Sequence, residues 1–147
     1  MAELQIIGRN EPVDLPELGL YKVMAKVDTG AYNCVLHCSE VRINGTLLEC
    51  WIPDEISPGF AGRWFTFQHF SQKEIRNSFG EKELRYVIKT VIEIFKKKIR
   101  AEFSLTNRGN LRFPVLLGRK ILRNRFLVDV TQKNLGESFI PLNENRN

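Results

Sequence analysis

A chain of 147 residues suits a single domain, and 43% hydrophobic with 27% charged residues excludes wholesale disorder. Three cysteines are too few and odd in number for a disulfide framework. No apolar run reaches the ~18 residues of a membrane span, and no secretory signal opens the sequence, so a cytoplasmic protein with no membrane partner is expected.

The formal charge is +5 and the pI about 9.3. The positives concentrate late, at Lys96-Lys97-Lys98, Arg100, Arg108, Arg112, Arg119, Lys120, Arg123 and Arg125. Such a face can serve nucleic acid, or it can keep the domain soluble and attract an acidic peptide. The second use is the expectation here.

In chain order, Tyr21 to Val27 alternates. The pattern predicts a strand with Tyr21, Val23, Ala25 and Val27 on one face and Lys22, Met24 and Lys26 on the other. Asn44-Gly45-Thr46 matches a glycosylation acceptor, but without a secretory signal it predicts an Asn-Gly turn. Pro53 to Phe70 predicts a loop followed by a strand. Leu84 to Phe95 is rich in Val, Ile, Tyr and Thr and predicts a long strand. Lys96-Lys97 is the expected turn into a second strand, where Ile99, Ala101, Phe103 and Leu105 alternate with Lys98, Arg100, Glu102 and Ser104. Phe113 to Leu117 is a short apolar run ending at Gly118, and Arg119 to Asn124 predicts a short helix with Ile121 and Leu122 inward. The whole is one all-β domain over 1–147, its core about 6–132, with a closed or strongly curled sheet and a tail at 143–147 that frays.

The chemistry-bearing stretch is Lys26-Val27-Asp28-Thr29-Gly30-Ala31. A strand runs directly into an acid, a small hydroxyl residue and a glycine. Gly30 permits a tight loop, Thr29 can bond to backbone, and the Asp28 carboxylate is then held on a rigid turn. Asp-Thr-Gly is also a common Asx turn, so the tripeptide alone does not decide between the two.

The wider context does. Asp28-Thr29-Gly30-Ala31, paired with a distant Val115-Leu116-Leu117-Gly118, resembles the retropepsins, the dimeric aspartic proteases of retroviruses. Asn77-Ser78-Phe79-Gly80 stands where that family has the hairpin flap over its active site. A closer resemblance runs from about Ile7 to Val130. It is to a bacterial retropepsin-like family labelled ATP-dependent zinc proteases, and rests on Ile7-Gly8-Arg9-Asn10-Glu11, Leu15-Pro16-Glu17-Leu18-Gly19, Leu36-His37, Leu105-Thr106-Asn107-Arg108, Phe113 to Arg119 and Leu127-Val128-Asp129. The family reads Arg-Thr-Ser-Ala after its motif; Tyr32, Asn33, Cys34 and Val35 stand there instead.

The resemblance implies a retropepsin-like closed barrel with one short helix after the apolar-Gly motif. It implies an aspartic endopeptidase, with Asp28 catalytic in a homodimer and Thr29 and Gly30 supporting its loop. Ala31, Asn77, Ser78, Phe79 and Gly80 would contact an extended peptide, and Leu117 and Gly118 would pack beside the loop. Association with an ATP-grasp amino-acid ligase is a further implication. Two other readings are a non-cleaving peptide-binding or ligase-associated module on this fold and a nucleic-acid-binding β-barrel.

Neither the zinc nor the ATP of the family label has a motif here: His-Glu-x-x-His and the phosphate-binding loop are both missing. Cys34, His37, Cys38 and Cys50, with His69, are the only candidate metal ligands among Cys and His, and Cys34-x-x-His37-Cys38 is cramped. No cofactor and no metal site are expected, with Cys34 and Cys38 small core residues and His37 a hydrogen-bonded structural one.

Overall fold

The computed structural model describes residues 3–77, 79–109 and 112–138. Ser78 and the tail from 139, with the expectations placed on them, lie outside the described residues. The described residues form twelve strands and one α-helix in chain order. They are β1 (Gln5–Ile7), β2 (Asn10–Leu15), β3 (Leu20–Val27), β4 (Cys34–His37), β5 (Glu40–Asn44) and β6 (Leu47–Ile52). Then come β7 (Arg63–Phe67), β8 (Ser71–Arg76), β9 (Lys82–Ile94), β10 (Lys97–Thr106), β11 (Val115–Leu117), α1 (Arg119–Leu122) and β12 (Phe126–Val128).

Six strands close a barrel in the order β10-β4-β11-β3-β2-β9, with β9 pairing back to β10. Closure leaves no bare edge among those six. Two smaller sheets attach: the parallel pair β1–β12, and the antiparallel meander β5–β6–β7. The core is continuous. Val13, Leu15, Leu20, Val23, Ala25, Leu36, Ile88, Ile92, Phe103 and Leu117 are buried inside it, joined by Leu48, Ile52 and Phe65 from the meander. The expected all-β barrel with a short helix after the apolar-Gly motif is thus the observed fold, and Ile121 and Leu122 do turn inward.

Two local expectations need correction. Tyr21 does not join the buried face: it is 52% exposed, and Leu20 is buried in its place. Lys22 has φ +54° and the β2–β3 register shifts between Val13 and Leu15, so a bulge resets the alternation. The Asp14 carboxylate holds the bulge by accepting the Lys22 N–H at 2.9 Å. The turn between β9 and β10 is Phe95-Lys96 rather than Lys96-Lys97. Lys97 already pairs with Ile94, and both turn residues have positive φ, as a two-residue type I′ hairpin requires. Phe95 accepts that conformation while its ring lies buried 6.0 Å from that of Phe126.

One charged side chain belongs to the core. Glu11 is fully buried, and its carboxylate accepts the N–H of Gly8 and the N–H of Gly136, each at 2.8 Å. It pins the segment after β12 to the barrel. Glu11→Ala leaves the buried Gly8 N–H and the part-buried Gly136 N–H unsatisfied and is expected to cost about 2–4 kcal/mol. Thermal melting should fall by roughly 10 °C; a melt within about 2 °C of the parent would show the latch to be dispensable.

Candidate active site

The barrel topology sets the geometry of the Asp28 loop. β11 lies between β3 and β4, parallel to the first and antiparallel to the second. Residues 28–33, which join β3 to β4, therefore have to arch over the C-terminal end of β11. Leu117 is level with Val27, and its carbonyl accepts the Asp28 N–H at 2.9 Å. The chain then passes directly under the arch at Gly118. A Cβ there would sit 2.5 Å from the Asn33 carbonyl oxygen and 2.6 Å from that of Tyr32. Only glycine fits so close a backbone crossing.

Helix α1 starts immediately afterwards, and its first N–H groups have no intrahelical partner. The arch supplies acceptors. Arg119 N–H donates to the Ala31 carbonyl at 2.8 Å and Lys120 N–H to that of Tyr32 at 3.0 Å. The Arg119 guanidinium adds a bond to the Thr29 carbonyl at 3.0 Å. Within the arch, Ala31 N–H donates to the Asp28 carbonyl at 3.2 Å, and Gly30 N–H donates to Asp28 Oδ1 at 3.0 Å. That last bond is the Asx turn weighed on the sequence. It coexists with a carboxylate that is only half-buried and lines a cleft.

The cleft holds about 710 Å³. Asp28, Gly30 and Ala31 line its floor, with Asn77 from the β8–β9 connection. Thr29, Phe79, Gly80, Leu117 and Gly118 are not among its lining residues. Strand β9 explains the connection. Its later half pairs with β10 in the barrel, while Lys82 to Val87 pairs with β8 as a separate hairpin. Asn77 orders the tip: its side-chain oxygen accepts the N–H of Phe79 at 2.9 Å and of Glu81 at 3.1 Å. Arg76 donates to the Gly80 carbonyl at 2.7 Å. Phe79 stands 88% exposed.

Arginines were missing from the predicted site. Arg76, Arg85 and Arg108 line the cleft with Asp28. Burial lowers the Arg108 guanidinium from its ordinary value; the Asp28 carboxylate opposes this and the Arg85 cation adds to it. Arg108 remains charged at any working pH. Its Nε donates to the Phe113 carbonyl at 3.1 Å. Arg85 pairs with Glu83, and Glu74 on the cleft rim pairs with Lys82. Arg108 was visible within Leu105 to Arg108, but nothing in the β-run around Arg85 distinguished it from an ordinary exposed strand position.

The thiols and His37 are structural in their contacts. Cys34, Cys38 and Cys50 are free and buried. Burial pushes the Cys34 thiol up to about 11. The hydrogen bond with Cys50, with burial, holds Cys38 well above its ordinary value. His37 Nδ1 accepts the Arg108 N–H at 2.9 Å. The described residues contain no cluster of three or more Cys, His, Asp or Glu that could hold a metal ion.

The comparisons with known proteins agree with this geometry. A family model described as the retropepsin-like aspartic endopeptidase RimB matches residues 6–138. Proteins named "Probable alpha-L-glutamate ligase" are similar. That of Shewanella pealeana is 34% identical over 131 residues, 86% of this chain and 29% of the relative. That of Desulfotalea psychrophila is 30% identical over 148 residues, 92% and 32% of the two. That of Parasynechococcus marenigrum is 32% identical over 155 residues, 97% and 33%. The chain thus spans about a third of the length of these relatives. A crystal structure of a Legionella pneumophila protein of unknown function shares the fold, with TM-score 0.70 and 24% identity over 91% of this chain and 99% of that one.

Two outcomes test the site's construction. Gly118→Ala should displace the arch and lower stability by about 1–3 kcal/mol, read by denaturant titration; an unchanged midpoint would contradict the crossing. Burial, then the Arg108 charge, lowers the His37 pKa below 6.5. A histidine held neutral in the fold stabilises fully above its unfolded value. Stability should therefore fall as pH drops from about 6.5 toward the lower folded value, and level off below it. His37→Gln should flatten that step in melts taken between about pH 7.5 and 5.

Proposed function

The chain belongs to the RimB-like family of retropepsin-like aspartic endopeptidases, and on that premise we propose that it hydrolyses peptide bonds with a pair of Asp28 carboxylates, one from each subunit of a homodimer. One chain carries one Asp-Thr-Gly. A two-fold axis through the exposed arches supplies the second carboxylate. Two carboxylates that close share a proton, as in aspartic proteases generally. The ionised one takes a proton from water, whose oxygen attacks the scissile carbonyl carbon. The protonated one gives its proton to the carbonyl oxygen. The tetrahedral adduct then collapses: the C–N bond breaks, the leaving nitrogen receives a proton, and a carboxylic acid and an amine remain. Thr29, exposed at the arch, would bond to the partner arch, and the β8–β9 hairpin would close over an extended peptide.

The observation that carries this reading is the Asp28 carboxylate on a braced arch, facing a cleft under a hairpin. The same cleft indicates the substrate class. Arg76, Arg85 and Arg108 line it; Arg85 has Glu83 as ion-pair partner, and an apolar peptide would bury the Arg76 and Arg108 charges against backbone carbonyls alone. A peptide with glutamate or aspartate beside the scissile bond pairs with them. The relatives named as glutamate ligases support an acidic, glutamyl product as the peptide, and an ATP-grasp ligase as its source. Those names also support a second reading, in which the domain holds such a peptide for a ligase without cutting it.

Asp28→Asn decides between the two. Cleavage of a glutamyl peptide should fall about 10³-fold or more while the sedimentation profile stays that of a dimer. Cleavage equal to the parent's would rule out the aspartic mechanism; a parent that binds but never cuts would favour the holding module. Arg85→Gln should lower kcat/KM for a peptide with glutamate beside the scissile bond by about tenfold, and leave an alanine counterpart nearly unchanged. Equal loss on both peptides would remove the arginine from substrate selection.

A further inference from the structure

A second cationic surface lies outside the Asp28 cleft. It is an open groove of about 870 Å³ between the start of β10 and helix α1 with the turn that follows. Lys97, Lys98, Arg100, Lys120, Arg123 and Arg125 line it, and among the described residues Glu3 is the only carboxylate that does. Arg100 is committed to Glu17 at 3.1 Å and Lys120 to Glu102 at 3.1 Å. Arg125 donates to the Ile121 carbonyl at 3.2 Å. Lys97, Lys98 and Arg123 are exposed and make no ion pair among the described residues. A fold gains nothing from crowding unneutralised cations beside one another; their mutual repulsion is a standing cost.

Position gives the groove its meaning. Tyr32 lines both this groove and the Asp28 cleft. It is 45% exposed, and the Arg119 guanidinium lies 5.8 Å from its ring centroid. A chain leaving the cleft past Tyr32 enters the groove and runs toward Lys97 and Lys98 at the β9–β10 hairpin. Among the described residues, Tyr32 is the only aromatic side chain lining it. A single-stranded nucleic acid site combines cationic tracking with a series of stacking rings, and the groove has only the first. Extended carboxylates need cations alone.

We propose that this groove is an exosite for the acidic continuation of the peptide held in the Asp28 cleft, an assignment that rests on the acidic-peptide reading above. The occupant is a run of glutamate or aspartate side chains, all ionised at neutral pH. The contacts are charge pairs at an exposed surface, each modest and screened by salt. The exosite therefore selects for length: only a peptide long enough to pass Tyr32 reaches Lys97, Lys98 and Arg123.

The test uses the full chain carrying Asp28→Asn, so that binding is read without turnover. The probes are labelled oligoglutamates of about four and about twelve residues, the longer spanning ~40 Å when extended. Fluorescence anisotropy is compared with and without Lys97→Gln, Lys98→Gln and Arg123→Gln together, after circular dichroism shows both proteins folded. The longer peptide should lose about tenfold in affinity and the shorter less than about twofold, with the difference shrinking as salt rises. Equal affinity of the longer peptide for both proteins would overturn the exosite. So would equal loss on both lengths, which would mean that the cleft itself had changed. An oligoribonucleotide of matching charge that binds more tightly than the longer peptide, and loses that affinity in the triple variant, would overturn it in favour of nucleic acid. Failure of the proteolytic reading shows separately, in mass spectra of the longer peptide incubated with the Asp28 parent and with Asp28→Asn.

Discussion

The structure turns on one backbone crossing. The chain leaves β11 at Gly118 with no side chain because the carbonyls of Tyr32 and Asn33 occupy the space a Cβ would need. Everything that positions Asp28 follows. The arch rests on the end of β11, Leu117 accepts its first N–H, and α1 can begin only where its own free N–H groups meet the carbonyls of Ala31 and Tyr32. Arch and helix each satisfy what the other leaves open. Neither has the length to be stable alone: α1 is a single turn, and isolated helices that short do not persist in water. The acid loop is therefore rigid because it is built from two distant pieces of sequence, as a preorganised site requires.

The hairpin over the cleft is held differently. β9 is long enough to serve the barrel with one half and the hairpin with the other. The hairpin arm is fastened to the barrel through a Lys73–Glu102 ion pair, and Lys120 of α1 reaches the same carboxylate. Lys73, more than Lys120, draws the Glu102 carboxyl below its ordinary value. Lys73 and Lys120 are both partly exposed, and contacts of that kind are worth little and are weakened by salt. The floor is thus fixed by a backbone crossing, while the hairpin meets the barrel through strand β9, the packing of Tyr86 and a surface ion pair.

Much of this was legible in the sequence. Alternation at Ile99 to Leu105 marked β10, the β-branched run marked β9, and Gly118 followed by Arg119 marked the start of α1. Such patterns are local, and each strand carries its own. The misses were cases where a distant contact overrode the local pattern. Tyr21 should face the core by alternation, but Asp14 stabilises a bulge one strand away and turns it out. Lys96-Lys97 has the composition of a turn, yet Phe95 enters it because its ring finds Phe126. Ser104, placed on the polar face of β10, is buried with its hydroxyl on the Cys34 carbonyl, because β4 closes against that strand. The arginines of the cleft were illegible for the same reason. Arg85 and Arg108 are twenty-three positions apart on different elements, and only barrel closure between β9 and β10 puts both beside Asp28.

The charge excess of the chain can then be placed rather than averaged. A net +5 spread over the surface would need no function. Nine of the 22 cations line two depressions that share Tyr32, on the arch itself. Where neighbouring carboxylates exist, the fold uses them for structure: Glu17 takes Arg100, Glu102 takes Lys73 and Lys120, and Glu83 takes Arg85. Within the groove, Lys97, Lys98 and Arg123 make no ion pair among the described residues. Residue 32 thus stands between the Asp28 cleft and the second groove. It is also where the sequence departs from the arginine of the bacterial retropepsin-like pattern that the rest of the chain resembles. Arginine at that position would have continued the cationic track across the arch. Tyrosine places an exposed ring there instead, with the Arg119 guanidinium 5.8 Å from its centroid.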